Sequence, residues 1–245
     1  MDQIRLSDLV RAELTKIRTL PATWIALAIT LTANAVLGLL AATDVVRVTG
    51  QDGQVAIAQL GTVMLAPVYA FIAVPVFAAG GEYRGGQLRV SLAAMPDRNR
   101  FFTAKLLASS GVAVLAAVVT VLPGHLLQYV AGGGPGAGGA VGGFFATVAA
   151  YSMLALVGYG FAVIARTVVT PLAVLFILPV LVSPMLGGIL PGVVRLLPHE
   201  AALSFLGMPT SPALAMGRAT GLLVVVTWAL LFVGTAWAVT ARRDS

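Results

Sequence analysis

Residues 106–165 read LLASSGVAVLAAVVTVLPGHLLQYVAGGGPGAGGAVGGFFATVAAYSMLALVGYGFAVIA, sixty consecutive positions without an Asp, Glu, Lys or Arg. A charged side chain at the centre of a bilayer costs roughly 2.5–3.5 kcal/mol on insertion scales. A helix needs about 20 apolar residues to cross a hydrocarbon core about 30 Å thick. The run is too long for one crossing and long enough for two. It also carries its own divider, Gly132-Gly133-Gly134-Pro135-Gly136-Ala137-Gly138-Gly139. There the backbone entropy of glycine and the missing N–H of proline oppose a continuous helix. The reading is two membrane-spanning helices joined by a glycine turn.

Working outward, the same test finds four more crossings. Uncharged stretches of 25 residues lie between Arg18 and Asp44, 29 between Asp52 and Glu82, 28 from Thr167 to Val194 and 23 from Ala219 to Ala241. The expectation is an all-α integral membrane protein, with six transmembrane helices in a single domain over residues 1–245. Composition agrees. The chain is 59% hydrophobic and 10% charged with a mean hydropathy of +0.97, against about 45–50% apolar and about 25% charged for soluble domains. A soluble globular protein is excluded. The net charge of +6 would suggest nucleic acid in a soluble chain, but here no nucleic-acid partner is expected and the bilayer is the natural one. With no Cys and two isolated His there is no thiol nucleophile, and little from which to build a metal centre.

Residues 187–217 are apolar but carry Pro191, Pro198, Pro209 and Pro212, so no unbroken run there is long enough to span. They are read as short extracellular re-entrant helices before span six, one of them opening at Pro198 and running to about Phe205. Orientation follows from positive charge. Arg5, Arg11, Lys16, Arg18, Arg84, Arg89, Arg98, Arg100, Lys105, Arg166, Arg242 and Arg243 fall on one side, and only Arg47, Arg195 and Arg218 on the other. Both termini are expected in the cytoplasm of a protein of the cell membrane. The first apolar stretch exceeds a signal-peptide core of about 7–15 residues and is preceded by acidic Asp2, Asp8 and Glu13, so it reads as a retained span.

Two segments at the basic side stand out. In residues 1–18, Leu6, Val10, Leu14 and Ile17 form one stripe of a helix with charges on its other face, the pattern of an interfacial helix on the inner leaflet. Residues 81–104 make a loop far longer than the two to eight residues that roughly suffice to join helices. Within it Leu88, Leu92 and Met95 recur at helical spacing and Pro96 closes the run, predicting a short amphipathic helix on the cytoplasmic face. The plainer alternative is a topogenic loop packed on its own helix ends.

At these residues the chain resembles the permease subunit of ATP-binding-cassette transporters of the ABC type-2 export family. That family's second cytoplasmic segment has an acidic residue, a basic residue, Gly-Thr, several apolar residues, Pro and basic residues, with a Lys opening span three. Glu82, Arg84, Gly86, Leu88, Leu92, Pro96, Arg98 and Lys105 match in order, with Gln87 in place of the usual Thr. Glu13-Leu14-Thr15-Lys16-Ile17-Arg18-Thr19 resembles the family's start, and Leu197-Pro198-His199-Glu200-Ala201-Ala202 its segment before span six. The resemblance implies an efflux permease built as a dimer of six-helix subunits, identical or related, each docking a separate ATPase subunit. Glu82, Arg84, Gly86, Leu88, Arg89, Leu92, Met95 and Pro96 would form the ATPase-coupling segment, and residues 3–18 a connecting helix. ATP and magnesium would belong to the ATPase. This chain lacks G-x-x-x-x-G-K-[ST], so no cofactor and no catalysis are expected of it.

Most polar residues in the spans, among them Tyr151, Ser183 and His125, are read as helix-to-helix glue, as are small-residue pairs such as Gly139 with Gly143 or Gly188 with Gly192. Asn34 and Gln59 are singled out as mid-span amides that line a possible substrate path. The absence of mid-span charge favours an amphiphilic or hydrophobic cargo. Two other readings stay open. One is a non-transporting membrane assembly or immunity protein; the other is an intramembrane enzyme, against which stands the lack of G-x-S-x-G, H-E-x-x-H or paired intramembrane carboxylates.

Overall fold

The computed structural model describes residues 5–50, 53–83, 97–131 and 136–242. Helix α1 covers Leu6–Thr19 and α2 Pro21–Thr43, with Pro21 at the first helical position, where its missing N–H costs nothing. Helix α3 covers Gly61–Tyr83, α4 Arg98–Ala131, α5 Ala137–Ala165 and α6 Val169–Leu186. Two short helices follow, α7 at Pro191–Val194 and α8 at Pro198–Leu206, and then α9 at Arg218–Arg242. Six of these, α2, α3, α4, α5, α6 and α9, are long and apolar enough to cross a membrane. The chain is a multi-pass, predominantly helical membrane protein, as its charge gaps imply.

Two local features depart from the purely helical reading. Strands Arg47–Gly50 and Gly53–Ala56 pair antiparallel, with Val48 opposite Val55 and Gly50 opposite Gly53. The β-branched cluster Val45, Val46, Val48 and Thr49 carried that signal. The hairpin and a single 3-10 turn, Ile57–Gln59, take up the start of the uncharged stretch assigned to span two. Gln59, expected near mid-span, therefore lies exposed just ahead of α3. In α6 the helix widens to a π-turn at Leu178–Val182. Pro179 sits in that turn, where the looser ladder accommodates a residue without an N–H.

At 34 residues α4 is about 50 Å long, so its first turns, bearing Arg98, Arg100 and Lys105, extend past a hydrocarbon core of about 30 Å. Helix α5 is central: 67% of its most apolar window is buried, against 22% for α2 and 17% for α9. Phe71 and Ile72 of α3, Tyr151, Leu154 and Tyr159 of α5 and Val225 of α9 share the main core. Trp24, Ile25, Leu115, Val119 and Leu230 face outward, as lipid-facing side chains do.

The helices meet most closely at glycines. A Cβ on Gly38 of α2 would lie 2.4 Å from the carbonyl oxygen of Gly124 in α4, and one on Gly160 of α5 2.6 Å from the Phe232 backbone in α9. Gly143, Gly188 and Gly192, expected as small-residue contacts, face open space instead. The apolar stripe of α1 packs inward on the bundle. Val10, Leu14 and Ile17 pack against Ala26 of α2, Val74 of α3 and Ala108 of α4, so the stripe meets protein.

Candidate functional site

Stripe positions 10, 14 and 17 place a carboxylate, Glu13, on the same face of α1, because 13 lies three residues beyond Val10 and four before Ile17. A buried charge there demands counter-charges. Lys105 and Glu82 supply the rest of a four-membered cluster. Lys16 Nζ lies 2.6 Å from Glu13 Oε1 and 2.9 Å from Glu82 Oε1; Lys105 Nζ lies 2.6 Å from Glu82 Oε2 and 3.6 Å from Glu13 Oε2. Each carboxylate is thus bridged by both ammonium groups, and the formal charges cancel. Glu13, Glu82 and Lys105 are buried, while Lys16 is about half exposed. The closest contact of the buried Lys105 ammonium is with Glu82. For Lys16, burial works against the charged form, but the carboxylates of Glu13 and Glu82 outweigh it and raise its titration above the ordinary lysine value.

The cluster fastens three elements at one end of the bundle: α1, the last turn of α3 and the third turn of α4. Nearby, Trp237 of α9 donates from Nε1 to Asn99 Oδ1 at 3.2 Å, and the Arg166 guanidinium sits 5.8 Å from the Tyr83 ring centre. The start of the described chain and the end of α9 therefore share this end. Of the sequence-predicted coupling residues, only Glu82 is in view, at the heart of the cluster. Arg84, Gly86, Leu88, Arg89, Leu92, Met95 and Pro96 lie outside the described residues, within a segment whose two flanks the cluster holds.

Asn34 does sit at mid-span, but its side chain is engaged inside the subunit: Nδ2 donates to the Thr30 carbonyl at 3.0 Å, and Oδ1 accepts from the Tyr151 hydroxyl at 3.1 Å. Gln59 lies ahead of α3, outside the span. An apolar groove of about 460 Å³ opens instead between α3 and α6, lined by Tyr69, Ala73, Leu172 and Phe176; Tyr69 and Phe176 meet edge to face across it. Sequence reasoning also passed over a second polar cluster, in which Ser183 and His199, 16 residues apart, come within 2.8 Å. No short motif joins them, so only the fold brings them together. Among the described residues no group of His, Asp and Glu forms a metal-binding cluster. A scan against models of known protein families finds no match, and a search of curated proteins finds none.

Proposed function

We propose that this chain is the permease subunit of an ATP-driven exporter of the ABC type-2 kind, in which two six-helix subunits each dock a separate ATPase. The supporting observation is the charged clamp. Glu82 stands two residues before Arg84, and Lys105 nine after Pro96, so both flanks of the 84–96 segment are tied to each other and to α1. A loop that only turned the chain would need no such anchorage. A segment that receives a push from an ATPase does, because the clamp passes the displacement to α1, α3 and α4 as one body. ATP-driven closure of the ATPase pair then biases the membrane subunits between two packed states.

The chain has no phosphate-binding loop, so ATP and magnesium belong to the partner. The charge-free middles of the spans and the apolar groove between α3 and α6 favour an amphiphilic or hydrophobic cargo. The bias of basic residues toward the clamp end supports a cell-membrane protein with both termini in the cytoplasm. One experiment tests the reading: ATPase capture by membrane-inserted variants. If Leu88, Leu92 and Met95 form the docking stripe, Leu92→Asp puts a charge into a buried contact and ATPase capture is lost, whereas Arg89→Ala at the rim has a mild effect. Normal capture and coupling by Leu92→Asp would overturn the assignment, and failure of the parent chain to capture any ATP-binding-cassette ATPase would favour the non-transporting alternative.

A further inference from the structure

Beside the clamp, α1, the end of α3 and the connection into α6 enclose a partly open cavity of about 450 Å³, within the range of about 300–1,000 Å³ that holds small ligands. Its walls fix its level in the bilayer. Leu20 stands directly before α2, Val168 directly before α6, and Gly81 two residues before the end of α3, so the cavity lies where three spans leave the hydrocarbon. Trp24, 58% exposed in the first turn of α2, donates from Nε1 to the Arg18 carbonyl at 2.8 Å, an indole at the depth where membrane proteins place it.

The walls are of two kinds. Ile17 and Phe77 make an apolar side, and Glu13, Lys16 and Glu82 a charged one. Lys105, the fourth member of the clamp, is 4% exposed and is not on these walls, so the cavity faces two carboxylates and one ammonium. Glu13 is 7% exposed, yet among the described residues its Oε2 accepts no hydrogen bond, and the Lys105 ammonium is 3.6 Å away. Lys16 gives two of its three N–H donors to Glu13 and Glu82. Its side chain is 47% exposed, which leaves the third donor for an outside acceptor. The space itself is left by a glycine. A Cβ on Gly81 would meet nothing within 4 Å, whereas one on the adjacent Gly80 would lie 2.9 Å from Val168 Cγ2.

An occupant that completes this lining needs an apolar part for Ile17 and Phe77, a cationic donor for Glu13 and an anionic acceptor for Lys16, all at the edge of the hydrocarbon. We infer that the cavity binds a phospholipid with a primary-amine zwitterionic headgroup, taken from the leaflet at the clamp end, its ammonium on Glu13 and its phosphate on Lys16. A trimethylated ammonium has no N–H to give a carboxylate, and a glycerol headgroup has no cation at all, so each satisfies only half of the charged wall. The half left over is costly, because a carboxylate out of water needs both a counter-charge and donors. The bound lipid straps α1 to the end of α3 next to the clamp.

The inference concerns the cavity alone and does not rest on the exporter reading, so its test needs neither ATPase nor cargo. The full chain, purified in detergent, is offered equal amounts of phosphatidylethanolamine, phosphatidylcholine and phosphatidylglycerol with the same acyl chains, and the retained lipids are counted by native mass spectrometry. Phosphatidylethanolamine is expected to be retained about tenfold over the other two, the discrimination that one charge-assisted hydrogen bond supplies. The backbone at Gly81 is right-handed helical, with φ −61° and ψ −31°, so Gly81→Leu fills the cavity without backbone strain and leaves all four clamp residues in place. It should abolish the preference while the low retention of phosphatidylcholine stays as in the parent chain. Glu13→Gln should bring phosphatidylethanolamine down to the level of phosphatidylcholine. Equal retention of the three lipids by the parent chain, a preference for phosphatidylglycerol, or an ethanolamine preference undiminished in Gly81→Leu would overturn the site.

Discussion

Lys105 shows how far a single residue can decide this fold. It is buried two turns into a helix that crosses the bilayer, and it is tolerated there because Glu82 and Glu13 neutralise it. Removing one partner of a buried pair leaves the other charge uncompensated, so Lys105→Met should destabilise the folded state by about 3–5 kcal/mol. Lys16→Ala, at a half-exposed position, should cost no more than about 1 kcal/mol. Denaturant titration of the two variants in mixed micelles checks the ranking, and equal losses would mean the cluster is not the anchor. By contrast, Tyr151→Phe deletes only the hydrogen bond to Asn34 and should cost about 0.6 kcal/mol, the average for such bonds between membrane helices. The sign of the pH effect at Lys16 follows from its raised titration. Its contribution is fully present below the ordinary lysine value and is lost as pH rises through the raised one. Docking of α1 should therefore persist across neutral pH and loosen only in strong alkali, which brief limited proteolysis of α1 would detect.

At the scale of elements, α1 and the α2–α4 crossing invite separate tests. Ile17 is the deepest residue of the α1 stripe and Leu6 is 41% exposed. Ile17→Ala should cost about 2–5 kcal/mol, while Leu6→Ser should stay within about 0.5 kcal/mol. Insertion of α2 is unaffected in either, since it has its own apolar length; an equal effect of the two would mean the stripe faces lipid after all. The crossing of α2 over α4 depends on two glycines. A Cβ on Gly124 would come within 2.5 Å of the Asn34 carbonyl oxygen, so Gly124→Ala and Gly38→Ala should each cost about 1–3 kcal/mol through overpacking. Gly111, in the same helix but with no neighbour within 4 Å, is the control, and Gly111→Ala should gain up to about 1 kcal/mol from helix propensity. Thermal melts of the three variants give the comparison.

For the whole molecule, the prediction is sidedness. Single cysteines at Val45 and Ile189, both well exposed, should react with an impermeant thiol reagent added outside intact cells, and those at Asp8, Asp97 and Arg242 should not. The reverse pattern would invert the orientation. Glu200, which lies in the outer segment by sequence, is unsuitable as a probe because it is buried under α9 and α5. This arrangement illustrates where legibility stopped. The helix opening at Pro198 was readable from its proline, and it ends at Leu206, close to the expected Phe205. What covers it was not readable: a Cβ on Gly221 of α9 would lie 2.6 Å from both the Ala201 carbonyl oxygen and the Phe205 amide nitrogen, and Trp228 Nε1 donates to the Leu196 carbonyl at 2.7 Å.

The number of crossings was determined by the sequence alone, because the bilayer imposes a rule that is local along the chain. Lipid tails offer no hydrogen bonds and no counter-charge, so each span must satisfy its own backbone and exclude charge over about 20 residues. The hairpin before α3 was also written locally, in β-branched residues. Polar partnerships were not. Lys16 and Glu82 are 66 residues apart, and Asn34 and Tyr151 are 117 apart. An ion pair or hydrogen bond acts over a few ångströms in space whatever the separation in sequence. Only the tertiary structure decided that the α1 stripe meets protein, that Glu13 and Lys105 neutralise each other, and that Ser183 meets His199.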